Sequence, residues 1–203
     1  MTWMALWMAC AQAGSPEMAE VPPAGPGQEV AVFAGGCFWC MEADFDKLKG
    51  VVATTSGYAG GKEANPTYEQ VSAHRTGHYE AVRVVYDPKV VPYDKVLDYF
   101  WHHVDPTDPG GQFCDRGESY RTAVFPVNAE QRAIAEKSKA ALDASGVLPG
   151  KVATAILPDQ TFWPAEVYHQ DFHDKNPGRY LPYRQGCGRD ATVAKVWSKA
   201  PAE

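Results

Sequence analysis

The motif AGGCFWC at residues 34–40 contains two cysteines, Cys37 and Cys40, where a predicted strand gives way to a predicted helix. Gly35 and Gly36 allow a tight turn, after which Cys37 opens the helix. The unpaired amides and positive dipole end of a helix N-terminus favour a thiolate, the nucleophilic form of cysteine. We therefore expect Cys37 to be a reactive nucleophile. The alternative is an inert, buried structural cysteine.

Cys40 allows three interpretations. It can form a redox couple with Cys37, because residues i and i+3 lie close together in a first helical turn. It can share a metal ion with Cys37, or it can fill a small position in the helix. A thioredoxin-like motif normally has Trp before its first cysteine, whereas here Phe38 and Trp39 lie between the two. This difference argues against a thioredoxin fold.

A zinc site is an alternative use of the cysteines. The candidate ligands are Cys37, Cys40, Cys114, Cys187, His169 and His173. A structural zinc site usually combines two closely spaced pairs, and only one pair is present, so we expect no metal. His169 and His173 are instead interpreted as packing or capping residues. The odd count of five cysteines also argues against a simple framework of paired disulfides.

The elements that must position these residues mix helices and strands without strict alternation, which indicates an α+β sheet sandwich. Strands are predicted over 29–34, 51–58, 80–86, 120–127 and 152–157, and helices over 37–48, 93–104, 128–145 and 164–173. The polar stretch 105–117 is predicted to be a long loop, and such loops often carry functional groups. Beyond residue 178 periodicity is lost, which predicts a coil-rich C-terminal tail.

Composition narrows the class of protein. The chain has 203 residues, a net charge of −6 and no basic run, so it lacks the electrostatic footprint of a nucleic-acid-binding protein. No apolar stretch is long enough to span a membrane. We predict a possible signal segment and a Pro/Gly-rich linker over residues 1–28, a catalytic domain over 29–190 and a tail over 191–203. A monomer is expected.

The first thirteen residues, MTWMALWMACAQA, are apolar and end in Ala-Gln-Ala, which resembles a signal-peptide cleavage site. This favours export to the periplasm. The first basic residue is Lys47, so the usual positively charged start of a signal peptide is absent. A disordered or misassigned start, in a cytoplasmic protein, is the alternative.

The motif at Cys37 also resembles the catalytic signature of the A-type peptide methionine sulfoxide reductases, commonly GCFWG. Six blocks carry the resemblance in the expected order: GGCFWCME at 35–42, SGYAGG at 56–61, NPTYEQV at 65–71, TGHYEAVRVVYDP at 76–88, DRGESYRTAVF at 115–125 and YHQDF at 168–172. The resemblance covers nearly all of residues 30–180.

This resemblance implies thiol-dependent reduction of methionine-S-sulfoxide, free or in proteins, with thioredoxin as the usual reductant. It also implies a mixed sheet with flanking helices. The implied site consists of Cys37 as nucleophile, Phe38 and Trp39 as the methyl-binding wall, Glu80, Tyr68 and Tyr120 around the sulfoxide oxygen, and Asp115 as a supporting residue.

The implied roles make chemical sense. A sulfoxide sulfur is a poor electrophile until its oxygen is protonated, and a carboxylic acid kept neutral by an apolar pocket can supply that proton, aided by phenols. An aromatic cage suits the substrate methyl group. The alternatives are that Tyr68 and Tyr120 are ordinary core tyrosines and that Glu80 faces water.

The attack leaves a sulfenic acid on Cys37, which a second thiol converts to a disulfide. Many family members keep that thiol in a flexible glycine-rich tail, and here RQGCGRD at 184–190 offers Cys187. We expect Cys187 to resolve the sulfenic acid, because its flanking glycines would let it reach Cys37. Cys40 is the alternative resolving residue, and Cys114 has no assigned role.

The sequence thus predicts a cofactor-free reductase of methionine-S-sulfoxide that repairs oxidised proteins under oxidative stress. The residues alone are also compatible with two other functional classes of protein. One is a general thiol–disulfide oxidoreductase that uses Cys37 and Cys40, and the other is a zinc-stabilised binding module.

Overall fold

A computed structural model describes residues 16–200 of the chain. The strands are β1 (Glu29–Gly35), β2 (Val51–Ala59), β3 (Tyr79–Tyr86), β4 (Gly111–Gln112), β5 (Asp115–Arg116), β6 (Thr122–Phe125), β7 (Ala155–Ile156) and β8 (Trp163–Pro164). The helices are α1 (Phe38–Phe45), α2 (Tyr68–Ser72), α3 (Tyr93–Trp101), α4 (Ala129–Ser145), α5 (Phe172–Lys175), α6 (Pro177–Gly186) and α7 (Arg189–Val196). The α+β fold with flanking helices is confirmed.

Six strands form one mixed sheet in the order β7-β6-β1-β3-β2-β8, while β4 and β5 form a separate hairpin. All pairs in the large sheet are antiparallel except β6 with β7. The pairing of Phe33 in β1 with Val82 in β3 determines the position of the site. It brings Glu80, two residues before Val82, beside the end of β1.

The main core lies between one face of the sheet and the helices. Phe33 stacks on Phe45 of α1 and Phe100 of α3, with ring centroids 5.3 and 4.8 Å apart. Because strand side chains alternate between faces, the neighbouring Val32 and Ala34 belong to a second apolar cluster on the opposite face. The strong burial of both faces in β1 explains its nearly continuous apolar sequence.

The predicted helix over 164–173 is wrong. The segment begins as β8, continues as a 3-10 turn over Val167–His169 and ends in α5. Its polar side chains bond to separate neighbours instead of following one helical face. Gln170, for example, accepts from the backbone N–H of Ser56 and donates to its carbonyl, at 2.9 Å in both cases.

The predicted coil-rich tail is also wrong, because α6 and α7 occupy most of it. Pro182 lies within α6, and this helix-breaking residue together with Gly186 and Gly188 obscured the pattern in the sequence. The end of the chain packs on the domain. Trp197 is buried, and its indole N–H donates to the carbonyl of Val104 at 3.2 Å.

Residues 16–28, predicted to be part of a linker, lie against the sheet. The N–H of Ala19 donates to the carbonyl of Ala165 at 3.0 Å, and Arg83 donates to the carbonyl of Pro22 at 2.8 Å. Backbone groups thus anchor a segment whose composition offers little apolar surface.

The predicted signal segment falls on residues 1–15, which lie outside the described residues. Within 16–200, no helix combines the length and the hydropathy that a membrane crossing requires.

Candidate active site

Cys37 follows the last residue of β1 by two positions and is the N-cap residue of α1. The two preceding residues must be glycines, because there is no room for a side chain at either position. A side chain at Gly35 would collide with Met41, and one at Gly36, whose φ is +81°, would come within 2.6 Å of Gln112. The Gly-Gly turn therefore lets the chain leave the sheet and place Cys37 at the start of the helix.

A pocket of about 70 Å³ opens beside Cys37. Its lining residues are Cys37, Phe38, Trp39, Tyr68, Glu80, Asp115, Tyr120 and Tyr183. The structure therefore brings together seven of the residues that the sequence predicts for the site, and adds Tyr183. Of the other two predicted residues, Cys40 lies next to Cys37 in a buried cluster, and Cys187 is bonded elsewhere.

Glu80 is a buried acid with one fixed oxygen. Its side chain projects from β3, the residue is only 2% exposed, and Oε2 accepts the backbone N–H of Phe38 at 3.0 Å. Burial raises the pKa of Glu80 to about 8, and nearby negative charge from Asp115 adds to the effect. The carboxyl group is therefore mainly protonated at neutral pH and can donate a proton.

Cys37 and Cys40 are free, buried thiols that hydrogen-bond to each other. Burial raises the pKa of Cys37 well above its usual value, which differs from the ionised state expected at a helix start. The first helix amide, that of Phe38, is engaged by Glu80 rather than by the thiol. The hydrogen bond with the Cys37 thiol lowers the pKa of Cys40, and the positive charges of Arg189 and Arg184 lower it further.

Two phenols complete the polar side of the pocket. Tyr68 begins α2 and Tyr120 ends the 3-10 turn before β6, and their side chains hydrogen-bond to each other. Burial raises the pKa of Tyr68 to about 12 and that of Tyr120 further still, and the charge of Glu80 adds to both shifts. Both groups therefore stay protonated and can act as hydrogen-bond donors.

The apolar wall consists of Phe38 and Trp39. Trp39 stacks on Phe172, with ring centroids 3.8 Å apart and planes at 6°, and its indole N–H donates to Nδ1 of His169 at 3.0 Å. Burial lowers the pKa of His169 to about 4, so the ring is neutral and can accept this bond. His169, expected to be a packing residue, thus also orients the indole of the wall.

Sequence reasoning missed Glu166, which is fully buried. Its carboxylate accepts the hydroxyl of Tyr58 and the backbone N–H of Tyr68, both at 2.8 Å. Glu166 therefore ties β2 to the start of α2 and fixes the backbone that carries Tyr68. The signal in the sequence was a single acid within the otherwise apolar stretch FWPAEV.

Tyr183 was also missed. Its hydroxyl donates to Oδ2 of Asp115 at 2.5 Å and is hydrogen-bonded to the thiol of Cys37. Nothing in the local sequence around Tyr183 distinguishes it from the nearby Tyr180. Only the packing of α6 over the pocket reveals which of the two tyrosines reaches the site.

Cys187 differs from its expected state. It caps the C-terminus of α6 and forms a disulfide with Cys114, which lies in the turn between β4 and β5. The Cys187 sulfur lies 3.7 Å from Oδ2 of Asp115, and the backbone N–H of Cys114 contacts this sulfur at 3.1 Å. The thiol is therefore not free in a swinging tail.

A buried group of charges lies behind the two free thiols. Asp44 of α1 pairs with Arg184 at 2.8 Å and with Arg189 at 3.6 Å. Arg189 is 2% exposed and also donates to the sulfur of Met41 and to the carbonyl of His103, at 2.8 Å each. This cluster joins α1 to the C-terminal helices.

The cysteines and histidines proposed for zinc do not converge. In the described part of the chain, the group with ligand-like spacing is Cys114, Asp115 and Cys187, and its two sulfurs are bonded to each other. His169 points to Trp39, and His173 contacts carboxylates of Asp46 and Asp174.

Comparisons with known proteins agree with this geometry. The model of the family Peptide methionine sulfoxide reductase matches residues 29–201. The peptide methionine sulfoxide reductase MsrA of Bacillus licheniformis is 52% identical over 172 residues, covering 85% of this chain and 95% of that protein.

Solved structures are also similar. Methionine sulfoxide reductase A of Corynebacterium diphtheriae has a TM-score of 0.71 at 34% identity, covering 84% of this chain and 86% of that chain. Mxr1 from Saccharomyces cerevisiae, in complex with Trx2, shares the fold with a TM-score of 0.53 at 22% identity, covering 75% and 91%. On the family match and the sequence identities, the chain belongs to the peptide methionine sulfoxide reductase family.

Proposed function

We propose that this chain reduces methionine-S-sulfoxide, free or within proteins, by attack of Cys37 on the sulfoxide sulfur. One observation carries the proposal. A free thiol, a protonated acid and an aromatic wall meet in one small pocket, at Cys37, Glu80 and the Phe38–Trp39 pair. A sulfoxide needs each of them: a nucleophile for sulfur, a proton for oxygen and an apolar slot for the methyl group.

Glu80 is the proton donor in this proposal. Its raised pKa supports the role, because a carboxyl group with a pKa of about 8 holds its proton at neutral pH. Phe38 occupies Oε2 with an N–H, which leaves Oε1 to carry the proton. Tyr68 and Tyr120 add neutral donors for the oxygen as negative charge develops on it.

The attack transfers one oxygen atom. The Cys37 sulfur attacks the sulfoxide sulfur, and Glu80 protonates the sulfoxide oxygen. The bond between the substrate sulfur and this oxygen then breaks, the oxygen bonds to the Cys37 sulfur, and methionine leaves. Cys37 ends as a sulfenic acid and methionine is reduced by two electrons. The thiol proton balances the proton that Glu80 supplied.

A second thiol then condenses with the sulfenic acid, forming a disulfide and releasing water. Cys187 and Cys40 remain the two candidates, and we assign this step to Cys40. Cys40 is a free thiol beside Cys37, and the positive charges of Arg189 and Arg184, which lower its pKa, favour the thiolate that attacks. Cys187 would first have to leave its bond to Cys114.

An external dithiol then reduces the new disulfide and becomes oxidised itself, which restores Cys37 and Cys40. We propose thioredoxin or a similar dithiol protein as this partner. The complex of yeast Mxr1, a protein of the same fold, with Trx2 supports the assignment. Metal and organic cofactors have no role in these steps.

The proposal is tested with paired S- and R-sulfoxide substrates and purified protein. We expect reduction of the S form, at least 100-fold less of the R form, and no reduction by Cys37→Ser. Cys40→Ser should give one equivalent of methionine and then stop with thioredoxin, while Cys187→Ser should sustain turnover. Comparable rates on both isomers, or an active Cys37→Ser, would refute the proposal.

We also infer that the protein is exported to the periplasm. The apolar start and its Ala-Gln-Ala sequence support this inference, and so does the Cys114–Cys187 disulfide, because disulfides persist mainly in oxidising compartments. N-terminal sequencing of protein from the periplasmic fraction tests it. Cleavage after Ala13 is expected, and an intact chain found only in the cytoplasm would contradict it.

A further inference from the structure

Tyr183 and Asp115 are the two lining residues of the pocket that the proposed mechanism leaves unused. The Tyr183 hydroxyl contacts the reacting sulfur of Cys37 and donates to Asp115 at 2.5 Å, so it lies between a nucleophile and a carboxylate. A phenol in this position can turn toward the Cys37 sulfur and stabilise negative charge as the thiol ionises.

Asp115 and Tyr183 come from different parts of the chain. Asp115 begins β5, whereas Tyr183 lies in α6, 68 residues later. A hydrogen bond between two such segments needs both to be held in register, because short polar contacts are lost with displacements of about 1 Å.

The Cys114–Cys187 disulfide joins these same two segments. Cys114 immediately precedes Asp115 in the chain. Cys187 lies one helical turn after Tyr183, and its backbone N–H donates to the Tyr183 carbonyl at 2.8 Å. The Cα atoms of the two cysteines are 4.9 Å apart. The covalent link therefore joins the two segments beside the hydrogen bond.

We propose that the Cys114–Cys187 disulfide is a positioning clamp that stays closed during turnover, and that it holds Tyr183, a further catalytic residue, against the Cys37 sulfur through Asp115. This proposal rests on the proposed function for its biological role. The clamp itself exchanges no electrons in the cycle. Its opening would require two electrons and two protons from a dithiol that becomes a disulfide.

The surroundings of Cys37 disfavour its thiolate, so a hydrogen-bond donor such as the Tyr183 hydroxyl would help the thiol to ionise. Burial and the neighbouring Cys40 and Glu80 raise the pKa of Cys37, and the Tyr183 hydroxyl opposes this rise when it turns its proton from Asp115 to the Cys37 sulfur. The titratable and charged groups around the two thiols are Cys40, Asp44, Tyr68, Glu80, Asp115, Tyr120, Tyr180, Tyr183, Arg184 and Arg189.

The alternative is that Cys187 carries electrons. In that case Cys114 and Cys187 would be thiols when Cys37 is oxidised, would reduce the Cys37–Cys40 disulfide by exchange and would become a disulfide themselves. The external dithiol would then reduce that disulfide and become oxidised. The two roles differ in what they do to Cys37 before any substrate is present. A clamp changes the ionisation of Cys37, whereas an electron carrier changes only the later, steady-state turnover.

The test measures alkylation of Cys37 by iodoacetamide against pH, quantified on the peptide that contains it. We expect Tyr183→Phe to slow alkylation about tenfold at pH 7, equivalent to a rise of one pKa unit. The double variant Cys114→Ser/Cys187→Ser should slow it to a similar extent. Combining all three substitutions should slow alkylation little further, because the loss of the phenol and the loss of the disulfide both act through the contact between Tyr183 and Cys37.

Leu148→Ala is the matched control for lost stability, since Leu148 is a buried core residue outside the pocket. It should lower the melting temperature and leave the pH profile of Cys37 unchanged. Tyr183→Phe keeps the disulfide and the core, so it provides a readout even if the double serine variant folds poorly.

An unchanged profile in Tyr183→Phe, or in a folded double serine variant, would overturn the proposal. So would a double variant that loses only steady-state turnover with thioredoxin, which is the result expected of an electron carrier. Because alkylation needs no sulfoxide, these outcomes are separate from a failure of the wild type to reduce methionine sulfoxide, which would refute the proposed function.

Discussion

The backbone N–H of Phe38 donates to Oε2 of Glu80 at 3.0 Å, so the residue after the nucleophile holds the acid that faces the same pocket. The bond is possible because β1 and β3 are neighbours and the helix starts where β1 ends. Nucleophile and acid are therefore positioned by one strand pair, and a displacement of either strand would affect both.

Glu80→Gln should preserve this bond and remove the transferable proton. We expect kcat for sulfoxide reduction to fall by about 10² to 10⁴, with a much smaller change in KM, because the proton is needed mainly in the transition state. Single-turnover kinetics on an S-sulfoxide provide the measurement. A rate equal to that of the wild type would remove Glu80 from the mechanism.

The pH dependence of the reduction step should follow the same acid. Since the pKa of Glu80 is about 8, its protonated form dominates below that value and is lost above it. The single-turnover rate should therefore fall as pH rises through about 8. In Glu80→Gln this alkaline decline should disappear, and a decline that persists would assign it to another group.

Glu42 provides a test of stability against pH. Burial raises its pKa to about 8, with Asp46 and Asp171 adding repulsion. Between pH 4.5 and 8 the unfolded chain loses this proton while the folded chain keeps it, so the free energy of unfolding falls as pH rises. Glu42→Gln should be more stable than wild type at pH 8, on the order of 3 kcal/mol, and similar at pH 4.

Urea unfolding at the two pH values measures this difference. Glu136→Gln, at an exposed helix position, is the matched control and should show no comparable gain. A Glu42→Gln variant that gains equally at both pH values would indicate a packing effect rather than proton linkage.

His169→Phe tests the support of the aromatic wall. The substitution keeps an aromatic ring beside Phe38 and removes the acceptor for the Trp39 indole, which would leave a buried donor unpaired at a cost of about 1–3 kcal/mol. We expect kcat/KM to fall about tenfold, mainly through KM. Tyr168→Phe, at a half-exposed neighbour, should have little effect. If KM were unchanged, the orientation of Trp39 would not depend on His169.

Much of the site was predictable because its residues follow one another within short segments of the sequence. Apolar strands ending in Gly-Gly, followed by a cysteine and two aromatics, specify β1, the turn and the start of α1. The strand that carries Glu80 was predicted from its apolar pattern, but the role of Glu80 came from the resemblance to a known family. The resemblance to a known family supplied the roles of Tyr68, Tyr120 and Asp115, which no periodicity indicates.

The remainder depends on contacts between distant segments. The failed helix over 164–173 contains residues that each bond to a different neighbour, and the buried acid Glu166 has its partners about 100 residues away. The position of Tyr183 over the pocket follows from the packing of α6, whose sequence contains a proline and glycines. The pairing of Cys114 with Cys187 is likewise set by the fold.

Met41 lies one residue after Cys40, and its thioether is 1% exposed and accepts an N–H from Arg189. A repair enzyme that meets oxidants would be disabled by damage to its own core thioether, since sulfoxide formation makes the side chain polar and disrupts packing. With its lone pair engaged and water excluded, Met41 should resist hydrogen peroxide longer than the partly exposed Met18, as peptide mass spectrometry can show. Arg189, which pairs with Asp44, thus also protects Met41 from oxidation to the sulfoxide that this protein reduces in its substrates.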